Sequence, residues 1–125
     1  MWRRDGYPVD DEALQELGLV DQSGLFECEG VAFRFTSMTV ERDARGHRAH
    51  TSVLTLRQLA PRVEPDAIDL VEIVAEGKLS GRVPELAMRK ALAASIETSE
   101  QVARRYAARE LFRTAERLLT ARSVA

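Results

Sequence analysis

Apolar positions along the chain change period twice, and each change marks a change of element. In "DDEALQELGL" the leucines Leu14 and Leu17 lie on one helical face. Asp10 or Asp11 is placed to cap the N-terminus, and acidic residues fill the first turn, where the helix dipole favours them. The spacing predicts a helix over 9–20. Gly18 is expected as a left-handed C′ residue, with Leu19 folding back onto Leu14 in a Schellman motif. "DQSG" then reads as a turn.

From residue 25 to residue 57 the alternation is that of strands. Glu29-Gly30 suits a two-residue hairpin turn between a short strand at 25–28 and a long one from Val31. Val31, Phe33 and Phe35 share a face, but the next apolar residues are Met38 and Val40, which fall out of phase. One extra residue restores the phase, so a β-bulge is expected near Thr36–Ser37. The next strand runs from His47 to Arg57. A three-residue loop, Ala44-Arg45-Gly46, then pairs Asp43 with His47, Val40 with His50, Met38 with Ser52, Phe35 with Leu54 and Phe33 with Leu56.

The remainder reads as helix. "EPDAIDLVEIVAEG" has Pro65 near its start, Ile68, Val71 and Val74 at inward spacing, and Gly77 as a stop, giving a helix over 65–77. Pro84 opens a helical region over 84–122. Thr98 and Gln101 have capping-box spacing, which marks "ETSEQ" as the place for a break. Inward residues are expected at Leu86, Leu92, Ile96, Ala103, Tyr106 or Ala107, Leu111, Ala115 and Leu118. A helix this long usually pairs with a partner or with its own copy.

Length and composition then bound the answer. The chain has 125 residues with net charge −2, which is one domain's worth and not the basic balance of a dedicated nucleic-acid binder. Charge is blocky: acidic over 1–30, basic over 31–62, acidic over 63–79 and basic over 80–125. Such blocks suit self-association or a protein partner. The single cysteine, Cys28, can form no disulfide within the chain, and its acidic neighbours Glu27 and Glu29 argue against a nucleophile. No secretory signal and no membrane span is read. Arginine outnumbers lysine sixteen to two and asparagine is absent, a bias of GC-rich coding. The expectation is a bacterial or phage cytosol.

Candidate chemistry is sparse. The histidines of "HRAH", His47 and His50, are three residues apart, and on a strand that spacing sends them to opposite faces. Chelation by both is therefore not expected. His50, on the core side, is the candidate for a polar pocket. Phosphate loops, nucleophile elbows and zinc-protease motifs are absent, so no catalytic residue, metal or cofactor is assigned. Asp69, Glu72 and Glu76 would form an acidic helical face. Arg105, Arg109, Arg113 and Arg117 recur at i+4 with Arg104 beside them, making a stripe on the last helix. That stripe suits an acidic protein surface or a phosphate backbone, and the acidic segments 10–16 and 66–76 could serve it within the chain or in a copy.

The expected fold is therefore α+β, as one domain over 1–125. An N-terminal helix leads into a three-stranded antiparallel meander with a bulged central strand. Two or three helices follow, including a long C-terminal one, and residues 1–8 form a flexible lead. The expected function is a non-enzymatic protein-interaction module, such as an adaptor, chaperone-like or regulatory subunit, self-associating through its C-terminal helix. The alternatives are a nucleic-acid-associated regulator using the arginine stripe and a small enzyme or ligand binder with a pocket between sheet and helices.

Overall fold

The structure, a computed structural model, describes residues 1–44, 47–75, 78–79, 89–90 and 97–124. Its frame is a seven-stranded antiparallel sheet, not a three-stranded one. In chain order the elements are β1 (Trp2–Arg4), β2 (Tyr7–Val9), α1 (Asp11–Glu16), β3 (Gln22–Cys28), β4 (Val31–Ala44), β5 (His47–Ala60), β6 (Asp69–Ala75), β7 (Lys78–Leu79) and α2 (Ser99–Val124). The spatial order is β2-β1-β3-β4-β5-β6-β7. Apart from α1, which carries the chain from β2 to β3, this is a meander. The expected fold class is corrected accordingly: more strands, and fewer helices among the described residues.

The first correction concerns residues 1–8, which are not a flexible lead. Asp5 and Gly6 both have positive φ, 52° and 82°, the two-residue turn whose twist suits a hairpin. It pairs Trp2 with Val9 and Arg4 with Tyr7. Trp2 is buried, edge-on to Phe33 (5.2 Å between centroids) and to Phe112 (4.7 Å). Burial of one large aromatic anchors the whole hairpin. Glu29 and Gly30 repeat the same turn between β3 and β4, at φ 52° and 79°, with Glu27 Oε1 accepting from the Gly30 amide at 2.7 Å.

The second correction concerns residues 65–77, where a strand, β6, replaces the expected helix. Leu70, Glu72 and Val74 turn to the helix-bearing face of the sheet, and Val71 and Ile73 turn away from it. Apolar residues on both faces had given a spacing of three that mimics a helix. The β-branched density of "DLVEIVA" favours the strand. Ile68 and Val74 are buried as expected, but Val71 is exposed.

The bulge and register also differ. Phe33, Phe35 and Ser37 stay in phase and are buried, while Met38 and Val40 lie on the opposite, exposed face. No extra residue sits at Thr36–Ser37. The irregularity lies between Ala32 and Phe33, which pair with Ala60 and Gln58, leaving Leu59 as the additional residue on β5. Ala44 pairs with His47, so two residues link the strands, not three. Val40 therefore faces Thr51, Met38 faces Val53, Phe35 faces Leu56 and Phe33 faces Gln58.

The inner face of the sheet packs against α2. Thr98 caps it: the Gln101 amide donates to Thr98 Oγ1 at 3.2 Å, and the Thr98 amide donates to Gln101 Oε1 at 2.9 Å. Ala103, Ala107, Ala108, Leu111, Phe112, Ala115 and Leu119 form its buried stripe. Leu118, expected inside, is exposed, and Leu119 takes the position. Phe112 is the hub, its ring lying 5.2 Å from Phe26 and 5.4 Å from Phe35. Helix α1 is capped by Asp10, which accepts from the Ala13 amide at 2.8 Å, and it buries Leu14 with Leu17 just beyond. Gly18 is not the left-handed residue expected. A Cβ there would lie 2.2 Å from the Arg104 carbonyl oxygen, so glycine is required by the close approach of α2. Expected positions Leu86, Leu92, Ile96, Glu76 and Gly77, and the loop residues Arg45 and Gly46, lie outside the described residues.

Candidate functional site

The arginine stripe lies along α2, and every guanidinium in it meets a carboxylate of the same chain. Arg104 reaches Asp21 (3.4 Å), Arg105 reaches Glu97 (2.8 Å), Arg109 and Arg113 share Asp11 (3.3 and 3.2 Å), and Arg117 approaches Glu110 (3.9 Å). Of the two acidic segments that could serve the stripe, the one at 10–16 does so, through Asp11. Burial opposes ionisation of Asp11, but the Gln15 and Arg113 hydrogen bonds and the two guanidiniums outweigh it and hold its carboxyl below the usual value. Asp21 is held low chiefly by the Thr39 amide and hydroxyl, with Arg104 adding to them. These pairs tie α1 and the β3 entry to α2. A phosphate would have to displace them.

The other sequence candidates disperse. His50 sits on the exposed end of the β4–β5 ribbon with Nδ1 3.8 Å from Glu41 Oε1, and it lines none of the described clefts. The side chain of His47 lies outside the described residues. Cys28 is buried, and that burial pushes its thiol up, against the pull of the N-terminal ammonium. Asp69 and Glu72 alternate across β6 and form no common face. Asp69 binds Arg62 through two hydrogen bonds (3.1 and 2.8 Å), which hold its carboxyl low. Glu72 turns inward, where burial and then the charge of Glu110 raise its carboxyl above the usual range. Tyr106 is raised by the same two causes. Among the described residues no group of three His, Cys, Asp or Glu side chains could hold a metal ion, and no helix is long and apolar enough to cross a membrane.

What sequence reasoning missed is the outer face of the sheet. Helices cover the inner face. Cross-strand rows on the other side run Met38–Val53–Ile73, Thr36–Thr55–Val71 and Val40–Thr51–Ala75. Met38 is 54% exposed, Val71 58% and Leu25 57%, with Val40, Leu59 and Ile73 also open. One cross-strand row along, Arg34 and Arg57 stand opposite each other, and Leu25 is the β3 neighbour of Arg34. Arg57 lies 3.6 Å from Asp69, whereas Arg34 makes no ion pair among the described residues. The signal was present in the sequence: Met38 and Val40 are out of phase with Phe33 and Phe35 because both faces of the strand are apolar.

Two clefts among the described residues are large enough to consider. One of about 680 Å³ lies between the 61–66 loop and the end of α2. Its Gln58 and Arg122 side chains are already engaged: Gln58 donates to the Pro61 carbonyl and accepts from the Ile68 amide at 2.9 Å, while Arg122 donates to the Asp66 carbonyl. The second, of about 570 Å³, lies between the β1–β2 hairpin, α1 and β3. Comparison of the chain with models of protein families, with curated proteins and with solved structures finds no match in any of the three.

Proposed function

We propose that this protein is a binding module that docks an acidic, amphipathic helix of another protein on the outer face of its sheet. The observation that carries the reading is the run of exposed apolar side chains across β3 to β6, beside Arg34, which makes no ion pair among the described residues. Contiguous exposed apolar surface is the usual mark of an interaction site. The segment Arg34–Val40 spans roughly 23 Å at a strand's rise, the length of a helix of about 15 residues. Threonines flanking the apolar rows keep the face wettable when it is free. The adjacent Arg34 and Arg57, of which only Arg57 has a carboxylate, Asp69, in ion-pair reach among the described residues, favour an acidic partner and oppose a second copy, which would bring further arginines to the same surface. The C-terminal helix spends its apolar stripe on its own sheet, so self-association through it is not part of this reading.

Fluorescence anisotropy with two synthetic helical peptides tests the proposal. One has leucine on one face and glutamate on the other; its counterpart has lysine in place of glutamate. The acidic peptide is expected to bind, and binding should weaken with salt and fall at least tenfold in Arg34→Glu and in Met38→Glu. Equal binding of both peptides, or indifference to both substitutions in folded protein, would refute it. A concentration-dependent dimer abolished by Met38→Glu would replace the acidic partner with a second copy.

A further inference from the structure

The second cleft is lined by charges of both signs that make no ion pair among the described residues. Arg4 leaves β1 on the inner face and lies over Gly24 of β3. A Cβ at Gly24 would stand 3.1 Å from Arg4 Nη2 and 3.1 Å from Phe26 Cε2, so the glycine makes the berth for the guanidinium. The guanidinium stacks on the Phe26 ring at 5.2 Å from its centroid. Stacking satisfies the face of a guanidinium and leaves its in-plane donors free. Among the described residues the Arg4 guanidinium makes no ion pair and donates no hydrogen bond, although Asp5 and Glu16 line the same cleft. Neither carboxylate is paired with a cation among the described residues.

Such a cleft resists a simple anion, because Asp5 and Glu16 repel it, and resists a simple cation, because Arg4 does. It suits a molecule carrying both charges at a distance. Pro8, Val9 and Leu17 supply an apolar wall, and about 570 Å³ is ample for a small ligand. We propose that this cleft binds a small zwitterion with an apolar side group, an α-amino acid or a short peptide. Its carboxylate lies on Arg4, its ammonium is directed to Glu16 and Asp5, and its side group rests on the apolar wall. Arg4 is the group best suited to the carboxylate, since its planar fork matches two oxygens. The site is on the side of the sheet opposite the docking face and rests on separate observations.

Calorimetric titration of the full chain tests this with L-phenylalanine, the dipeptide Val-Phe, phenylalanine amide and N-acetylphenylalanine. Binding of phenylalanine or of Val-Phe supports the proposal, and the tighter of the two identifies the source. The amide lacks the carboxylate and the N-acetyl compound lacks the ammonium, so each should bind roughly tenfold or more weakly than phenylalanine. Arg4→Gln should abolish the preference over the amide. Asp5→Asn with Glu16→Gln should abolish the preference over the N-acetyl compound, with far-ultraviolet circular dichroism confirming the fold of each variant. Absence of heat or of spectral change with either zwitterion at millimolar concentration overturns the proposal. So does binding of the amide or of the N-acetyl compound as tight as that of phenylalanine.

Discussion

Gly18→Ala sets two opposite expectations against each other, and the structure decides between them. Gly18 does not have positive φ, so alanine fits its backbone. On that ground alone the substitution would stabilise by about 0.4–1 kcal/mol, by restricting the unfolded chain. The new methyl, however, would lie 2.2 Å from the Arg104 carbonyl oxygen and 2.8 Å from its carbon, with Ala108 Cβ at 3.2 Å. The two Arg104 atoms belong to the backbone of α2 and lie about 1 Å inside ordinary contact, and no side-chain rotation can relieve them. Relief requires α1 to move off α2, which loosens the Asp11 pairs with Arg109 and Arg113 and the packing of Leu14 and Leu17. Overpacking of this kind costs about 1–3 kcal/mol, so the net effect is a loss of about 1–2 kcal/mol. In a domain this size that is several degrees in Tm. Urea and thermal denaturation of Gly18→Ala beside the parent measure it. A neutral or stabilised variant would refute the close α1–α2 approach.

Two more predictions follow from the core. Phe112→Ala removes the ring on which Trp2, Phe26 and Phe35 converge, and denaturant titration should show a loss of about 3–5 kcal/mol; a cost below about 1 kcal/mol would contradict its placement. Glu72 has a carboxyl raised above its ordinary 4.5 by burial and by Glu110. A proton held more tightly in the folded state stabilises below the unfolded value, and that stabilisation is lost as pH rises through the folded value. Glu72→Gln should therefore be more stable than the parent at pH 7, with the gap narrowing towards pH 4. A gap that widens on acidification would contradict the inward placement of Glu72.

How far the sequence revealed this fold depended on whether a signal was local. The Asp10 cap, the Glu29-Gly30 turn and the Thr98–Gln101 capping box are interactions within three residues, and all three occur. Asp5-Gly6 was an equally local turn signal, overlooked because strands of only three residues flank it. The failures at Met38 and at residues 65–77 share one cause. Pattern reading assumes one apolar face per element, and β4 and β6 have two. The out-of-phase residues that demanded an imaginary bulge, Met38 and Val40, belong to the exposed outer face, and the spacing that imitated a helix mixed buried Ile68 and Val74 with exposed Val71. The arginine stripe was legible as a pattern, but its carboxylates come from residues far away in sequence, such as Asp11 and Asp21. Arg4 and its cleft left no mark in the sequence, because they depend on a glycine one strand away.

The most direct measurement is an amide and methyl chemical-shift map of the labelled protein titrated with the leucine–glutamate helical peptide. Shifts are expected to concentrate on Leu25, Met38, Val40, Val53, Val71 and Ile73, around Arg34, and to leave α2 undisturbed. Shifts confined to the arginines of α2, or none at all on the outer face at saturating peptide, would contradict it.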